Sequence, residues 1–290
     1  MKLTTITMLP ALLGLVCATA QAEAAWTLAP VASLDGFKVP ECALWDGVDN
    51  QLLISNIEAP SGQYWTDDGT GYISTYSADG VRKTERWVNT APDMIVHGPK
   101  GMCRLGAHLY FTDNSRLMRC DAKTGKKIEV VTSGYGQAND LATDGEAVWV
   151  SDTKAGKVFR VAPDGTQREI PSPVGVNGLT CWKGRLFAVS WDLHEVYELD
   201  PAGKNPPVAF GLADHFKNLD GIEVLDDGSF IVSDFMGNKV SLISPDRKTV
   251  TTLVETDSPA DIGINRAAGL LYVPNFLKDT LQIYHLTRKP

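Results

Sequence analysis

The sequence has little positive charge, and this scarcity narrows the possible classes of function. Its 27 Lys and Arg residues are outnumbered by 35 Asp and Glu residues, which gives a formal net charge of −8. It contains no basic stripe and no RNA-binding motif, so a nucleic acid is not an expected partner. An acidic chain can still attract metal cations where its carboxylates converge.

Other absences exclude further classes of protein. Beyond the N-terminus no segment is long and apolar enough to span a bilayer, so no membrane span is expected. No Gly-x-Ser-x-Gly elbow occurs, which argues against a serine hydrolase. No convincing long helical pattern is present either, because the apolar residues fall in short runs between turn residues.

The N-terminus is typical of a secretory signal. Lys2 is followed by the apolar run MLPALLGLVCA at residues 8–18, and a small-x-small cleavage site, Ala-Gln-Ala, ends at residue 22. We predict a signal peptide over residues 1–22, a single mature domain over residues 23–290, and a periplasmic or secreted location. A buried N-terminal helix is the alternative interpretation of the same run.

Few cysteines remain after such a cleavage. An oxidising compartment permits disulfides, and four thiols allow three full pairings. The spacings match no zinc-ribbon pattern, and the alternative is that the side chains are small buried hydrophobes. The cysteines of the predicted mature domain are Cys42, Cys103, Cys120 and Cys181.

One unit recurs six times along the chain. Each copy runs from a polar residue through a short apolar strand, a turn with Gly or Asn and a second apolar strand to another polar residue. Successive copies begin roughly 40 residues apart, except for a longer first step. Their first residues, called here the head residues, are Glu41, Lys100, Asn139, Asn177, Asp220 and Asp261. Their last residues are Asn56, Asp113, Asp152, Trp191, Asp234 and Asn275.

A second pair of short strands follows each copy, as in GKVFRVAPDGT and NKVSLISPDRK. Asp-Gly and Pro-Asp turns separate these alternating runs, so each unit carries about four strands. Six such units indicate an all-β fold, a six-bladed β-propeller with four-stranded blades. We expect Trp26 to Leu34 to supply a strand that closes the ring with the last blade.

A propeller would bring the head residues together. The first strand of each blade lines the central channel and starts near one face, so the six heads are expected to converge at the mouth of the channel. Carboxylate and amide oxygens in such a set are ligands for a hard divalent cation. We therefore predict one divalent cation, calcium in the first place, at this mouth. A water-filled channel with polar walls is the alternative.

Some of the remaining polar residues have expected structural roles. Asp113, Asp152 and Asp234 are expected to cap turns rather than to act in chemistry. Lys100 would either neutralise Asp261 or bind an anionic group of a substrate.

The segment EAPSGQYWTDDGT, residues 58–70, lengthens the first unit and is either a binding loop or a surface excursion. Within it Trp65 is placed to touch a ligand, as is Trp191 near the same face. His97 and His215 lie just ahead of strand heads, and we expect surface positions for them rather than a catalytic pair.

At these residues the chain resembles the gluconolactonase, regucalcin and luciferin-regenerating-enzyme family of six-bladed propellers, over nearly all of the mature domain. The resemblance implies a lactone hydrolase with one divalent metal at the channel mouth. It implies that Glu41, Asn177 and Asp220 hold the metal and that Asp220 is also the general base. The motifs that carry the resemblance are Glu41 followed by Trp45, Asn139-Asp140, Asn177-Gly178, Asp220-Gly221 and Asp261-Ile262 with LLYVPNF.

The predicted substrate-binding residues are Asn139, Lys100 and Gln137. Gln137 stands where the sugar-lactone enzymes carry Arg, which weighs against a sugar-acid substrate. We predict an exported, metal-dependent hydrolase of a small lactone or related ester, with a cation-activated water as nucleophile and a carboxylate base. The alternative is a non-catalytic binding propeller in which calcium only stiffens the channel.

Overall fold

Short apolar runs separated by turn residues form antiparallel strands throughout this chain. The computed structural model describes residues 26–289, which form six four-stranded antiparallel sheets, so the predicted six-bladed β-propeller is confirmed. Two single-turn 3-10 helices, Ala213–His215 and Phe276–Lys278, are the only helices in this range, and neither approaches the length of a membrane span. The predicted signal peptide, residues 1–22, lies outside the described residues.

The 24 strands are numbered in chain order, and all but the sixth blade take four consecutive strands from the channel outward. The N-terminal strand is β1 (Trp26–Leu34). Blade 1 contains β2 (Pro40–Asp46), β3 (Gln51–Asn56), β4 (Tyr72–Tyr76) and β5 (Arg82–Asn89). Blade 2 contains β6 (Pro99–Leu105), β7 (His108–Asp113), β8 (Arg116–Asp121) and β9 (Glu129–Ser133). Blade 3 contains β10 (Ala138–Thr143), β11 (Val148–Asp152), β12 (Lys157–Val161) and β13 (Gln167–Ile170).

The second half of the ring repeats this arrangement. Blade 4 contains β14 (Val176–Trp182), β15 (Arg185–Ser190), β16 (Val196–Leu199) and β17 (Val208–Ala209). Blade 5 contains β18 (Leu219–Val224), β19 (Phe230–Asp234), β20 (Lys239–Ile243) and β21 (Val250–Glu255). Blade 6 contains β22 (Gly263–Asn265), β23 (Leu270–Asn275) and β24 (Thr280–Arg288), with β1 as its fourth strand.

The ring is closed by strands from opposite ends of the described chain. Strand β1 pairs with β24 over its whole length, from Trp26 opposite Arg288 to Leu34 opposite Leu281. The closing strand predicted from the sequence is therefore confirmed at the predicted residues. This pairing joins the two ends of the described chain in one sheet and covers the edge of β24, which would otherwise be open.

The apolar core lies between the blades. Between blades 1 and 2, for example, Leu53 and Ile73 share one buried cluster with Met102 and Phe111. Similar clusters fill the gaps between other blades, so each inner strand carries apolar side chains that pack against the neighbouring blades. The starts of the inner strands, which carry the polar head residues, are therefore the positions from which a site can be built.

The cysteines belong to this packing. All four cysteines of the described chain are free, and they are Cys42, Cys103, Cys120 and Cys181. The first three are buried and the fourth is half-buried, which matches the alternative of small buried side chains rather than disulfides. Burial raises the pKa of the Cys42 and Cys103 thiols well above the ordinary value.

Candidate functional site

A β-bulge lies at the start of the inner strand in each of the first five blades. The head residue and the residue after it form the bulge, because together they lie opposite a single residue of the second strand. A bulge of this kind redirects side chains. Both residues are thereby turned toward the channel. The register shifts lie between Pro40 and Ala43, Pro99 and Met102, Ala138 and Leu141, Val176 and Leu179, and Leu219 and Ile222.

Serine side chains satisfy the backbone of three of these bulges. Each serine is the penultimate residue of a second strand, and its hydroxyl accepts the amide hydrogen that the bulge leaves without a partner in the sheet. Ser55 Oγ accepts from Cys42 N at 2.9 Å, Ser151 Oγ from Asp140 N at 2.9 Å, and Ser233 Oγ from Gly221 N at 2.7 Å. The recurring Ser-Asp and Ser-Asn pairs at the strand ends thus have a structural cause.

Glycine follows the head residue in three blades because the inner strands approach each other closely there. A Cβ atom on Gly178 would lie 2.2 Å from the carbonyl oxygen of Asp220, and one on Gly101 would lie 2.4 Å from the Cα of Asp140. No side chain fits at either place. These glycines therefore set how near the head residues of neighbouring blades can come.

Five head residues converge on one cavity at the mouth of the channel. The cavity has a volume of about 720 Å³ and is lined by Glu41, Lys100, Asn139, Asn177 and Asp220. All five are buried from bulk solvent, with between 1% and 8% of their surface exposed. Gln137, the remaining predicted substrate-binding residue, also lines this cavity. The structure brings the whole predicted set together, while the roles assigned to these residues stay predictions.

The sixth predicted head residue is wrong by one position. Pro259 lies opposite Asn275 just as Pro40 lies opposite Asn56, so the residue equivalent to Glu41 is Ala260. Asp261 instead lines a second chamber of about 200 Å³ in the channel together with Asp140, and burial, followed by the charge of Asp140, raises the pKa of Asp261 well above its ordinary value. The error arose because Asp261 is the polar residue nearest to the expected position.

A similar correction applies to the last residues of the second strands. In blade 4 the residue opposite Val176 is Ser190, so Ser190 and not Trp191 ends the second strand. The predicted caps do cap turns: Asp113 accepts from Gly98 N at 2.7 Å, and Asp152 accepts from Gln137 N at 2.9 Å. The third, Asp234, accepts from the backbone of residues 217 and 218.

Burial and the charges of neighbouring carboxylates raise the pKa values of the two acidic head residues in the cavity, Glu41 and Asp220. Burial, with the charge of Asp220 as the next cause, raises the pKa of Glu41 well above its ordinary value. Burial, followed by the charge of Asp140, raises the pKa of Asp220 to about 7. Two buried carboxyl groups that resist ionisation are a site at which a divalent cation would restore both charges.

Two oxygen atoms of the head residues are buried without a hydrogen-bond partner, Glu41 Oε2 and Asn177 Oδ1. The Asn177 side chain lies close enough to Asp220 to lower the pKa of that carboxyl group, against the larger effect of burial. Unpartnered buried oxygens are costly unless a ligand pairs with them. Among the described residues no three His, Cys, Asp or Glu side chains form a metal-binding group, so a cation here would depend on amide oxygens as well. This mixture of carboxylate and amide oxygens fits a hard cation such as calcium.

Lys100 is held by protein groups on the side of the cavity next to the insertion. Its Nζ donates to the carbonyl oxygen of Gly98 at 2.9 Å and to Asn114 Oδ1 at 2.8 Å, and lies 3.9 Å from the ring centre of Trp65. Burial lowers its pKa to about 8, and the charge of Glu41 is the largest opposing influence. The expected neutralisation of Asp261 is not supported, because Asp261 lies in the second chamber.

A further ring of residues surrounds the cavity above the head residues, and the sequence analysis missed most of it. Each member directly follows the end of a second strand, and all but Asn114 line the cavity. The same repeat frame, extended by one residue, would have located them. This second ring consists of Ile57, Asn114, Thr153, Trp191, Phe235 and Phe276.

The insertion in blade 1 contributes to the cavity as well. Tyr64 and Trp65 line the cavity from the loop between β3 and β4, which is the location that a binding loop requires, and Trp65 and Trp191 are placed where they can touch a ligand, as predicted. None of the five histidines, all of which lie within residues 26–289, lines this cavity. His215 is exposed and His97 half-buried, which leaves no catalytic histidine pair at the site.

Six four-stranded blades around a polar channel, with a cavity at its mouth, define a six-bladed β-propeller. Among solved structures the chain is similar to a protein provisionally assigned as a gluconolactonase, with a TM-score of 0.69, 20% identity, and coverage of 93% of this chain and 97% of that chain. The resemblance to gluconolactonase-type propellers is thus shown for the fold.

Lyases of the same architecture are also similar. A streptogramin B lyase matches with a TM-score of 0.63 and 14% identity over 90% of this chain and 98% of that chain. An inactive variant of virginiamycin B lyase from Staphylococcus aureus, solved with quinupristin, matches with a TM-score of 0.60 and 14% identity over 90% and 100% of the two chains. No family model and no curated protein matches the sequence.

Proposed function

We propose that this protein is a divalent-cation-dependent hydrolase of a lactone or related ester. The observation that carries the proposal is the pair of unpartnered oxygens, Glu41 Oε2 and Asn177 Oδ1, beside the Asp220 carboxylate in one cavity. The structural likeness to a protein provisionally assigned as a gluconolactonase supports the same class of reaction.

Glu41, Asn177 and Asp220 would hold the cation, and calcium suits their oxygens. When bound, a cation of this kind polarises a carbonyl group and lowers the pKa of water. Asp220 would help to hold the cation and would also accept a proton from the attacking water. Burial raises the pKa of Asp220 to about 7 in the cation-free site, and a bound cation would favour the ionised carboxylate, the form that can accept a proton.

The other residues of the cavity would bind and orient the substrate. Asn139 and Gln137 carry amide groups that can donate to ester oxygens. Lys100 already donates to Gly98 and Asn114, and we propose that it acts mainly by holding the insertion over the cavity. The aromatic side chains around the mouth would exclude bulk water, which strengthens the electrostatic interactions within the site.

Hydrolysis of a mixed panel of sugar, aryl and alkyl lactones tests this proposal. The protein would be assayed after chelation and again after calcium is restored, together with Glu41→Gln and the matched variant Asp261→Asn. We expect activity to disappear on chelation, to return with calcium, to be lost in Glu41→Gln and to persist in Asp261→Asn, which changes a buried channel carboxyl outside the cavity. Calcium binding without turnover of any lactone would instead indicate a binding propeller stiffened by its cation.

We also propose that the protein is exported to the periplasm or secreted, on the basis of the N-terminal pattern in residues 1–22. Expression of the whole chain, followed by fractionation and N-terminal sequencing, tests this. We expect a mature N-terminus close to residue 23 in the exported fraction. An intact N-terminus in the cytoplasm would contradict the proposal.

A further inference from the structure

The second ring divides the wall of the cavity into an apolar arc and a polar arc. Ile57, Trp191, Phe235 and Phe276 come from blades 1, 4, 5 and 6, which are neighbours around the closed ring. The polar members come from blades 2 and 3. A molecule seated over the head residues would therefore meet apolar surface on one side and polar groups on the other.

The apolar arc is a continuous aromatic wall. Tyr64 from the insertion meets Phe276 edge-on with ring centres 4.8 Å apart, and Phe276 meets Phe235 at 5.5 Å. Phe235 then meets Trp191 at 5.3 Å. Rings that support one another in this way present a fixed apolar surface, because each is held by its neighbours.

Trp65 extends this surface as a roof, and the roof is tied to the ring. The side chain of Asn114 donates from Nδ2 to the carbonyl oxygen of Thr66 at 3.0 Å and to Asp67 Oδ1 at 2.8 Å. Asn114 Oδ1 accepts from Lys100, whose ammonium group also lies over the Trp65 ring. The insertion is thus positioned by polar contacts with Lys100 and Asn114, and Trp65 lines the cavity.

Such a wall offers few hydrogen-bond partners to the hydroxyl groups of a sugar ring. Each hydroxyl group of a sugar lactone placed against it would lose its water without gaining a partner, which is unfavourable. The polar groups above the head residues, Gln137, Thr153, Lys154 and Asp192, are confined to blades 3 and 4. Thr153 Oγ1 is buried without a partner and can receive or donate one hydrogen bond from that side.

We propose, resting on the function proposed above, that the substrate is a lactone that carries an apolar group of at least the size of a phenyl ring. Its ester lies over Glu41, Asn177 and Asp220, and its apolar group lies against the aromatic wall beneath Trp65. The cavity volume of about 720 Å³ is in the range that takes a ligand of drug size.

Three δ-lactones test this inference: δ-valerolactone, 5-phenyl-δ-valerolactone and glucono-δ-lactone. The first two share the same reacting ester, so their ratio of kcat/KM measures the phenyl contact. We expect the phenyl lactone to be favoured at least about tenfold over δ-valerolactone, since burial of one aromatic ring is worth that factor. Trp65→Ala and Phe276→Leu should reduce this ratio by about fivefold or more. Trp182→Ala, a half-buried tryptophan outside the cavity, should leave the ratio unchanged.

A binding measurement separates the two proposals. The probe is 6-phenyl-2-piperidinone, the lactam that matches the phenyl lactone, titrated into the calcium-loaded protein by calorimetry. Preference for glucono-δ-lactone, or an unchanged ratio in Trp65→Ala, would overturn the inference while the hydrolase proposal stands. If no lactone is hydrolysed but the lactam binds and Trp65→Ala weakens it, the apolar ligand is supported and the hydrolase proposal fails. The absence of both lactone turnover and lactam binding would overturn both proposals.

Discussion

The substitution Asp220→Asn should stabilise the cation-free protein at alkaline pH although it removes a central residue of the site. Burial raises the pKa of this carboxyl group from 3.8 to about 7, so its ionisation above pH 7 opposes folding. A group whose pKa is higher in the folded state than in the unfolded state stabilises the fold at low pH. That stabilisation is lost as the pH rises from the unfolded value through the folded one.

The size of the stabilisation by Asp220→Asn follows from the pKa shift of Asp220. One unit of pKa corresponds to about 1.4 kcal/mol, so the cost at pH 8 is at most roughly 4 kcal/mol, and about 3 kcal/mol of it develops between pH 5 and pH 8. For a domain of this size, 1 kcal/mol moves the melting temperature by about 2 °C. The advantage of the cation-free variant over wild type should therefore grow by about 6 °C in melting temperature across this pH interval.

Thermal unfolding of chelated protein at pH 5 and pH 8 measures this difference in stability, and excess calcium should narrow it. Calcium at about a hundred times its dissociation constant stabilises the wild type by about 2.7 kcal/mol, and the variant should gain less. Asp192→Asn, which changes an exposed carboxylate at the rim of the cavity, should show no such dependence. A variant that is less stable than wild type at both pH values without calcium would refute the reasoning.

Three shorter predictions concern the architecture that positions the site. Gly178→Ala places a Cβ 2.2 Å from the Asp220 carbonyl oxygen. It should lower the free energy of unfolding by about 3 kcal/mol in urea titrations and weaken calcium binding in calorimetry. Gly47→Ala, whose Cβ would have no contact closer than 3.6 Å, should change neither quantity. Ser233→Ala leaves the bulge amide of Gly221 unpaired and should cost about 1–2 kcal/mol in the same titrations. Deletion of residues 26–34 should expose β24 as an edge and yield aggregated protein in size-exclusion chromatography, and a soluble monomer with an unchanged melting temperature would contradict the closing role of β1.

The repeat in the sequence was sufficient to predict the blades, the closing strand and the five head residues that meet in the cavity. It was insufficient at Asp261 because the bulges of the first five blades turn two successive residues toward the channel, so a polar residue at either position satisfies the same pattern. In blade 6 the head position is Ala260, which carries no polar signal, so the neighbouring carboxylate was chosen.

The aromatic wall illustrates a different limit. Phe235 and Phe276 follow strand ends, and in sequence they are indistinguishable from ordinary core residues, although the register of the repeat places them beside Trp191. The position of Trp65 depends on contacts of the insertion with Lys100 and Asn114, which are made between residues far apart in the chain. Contacts of this kind cannot be read from local patterns.

The central claim is that one cation at the channel mouth is required for hydrolysis. The most direct measurement adds calcium in fractions of an equivalent to chelated protein, at a protein concentration well above the dissociation constant, while the hydrolysis of 5-phenyl-δ-valerolactone is followed. We predict activity that rises linearly and reaches a plateau at one equivalent in wild type, and no rise in Glu41→Gln. Full activity in the chelated protein, or a plateau that Glu41→Gln shares, would contradict the account.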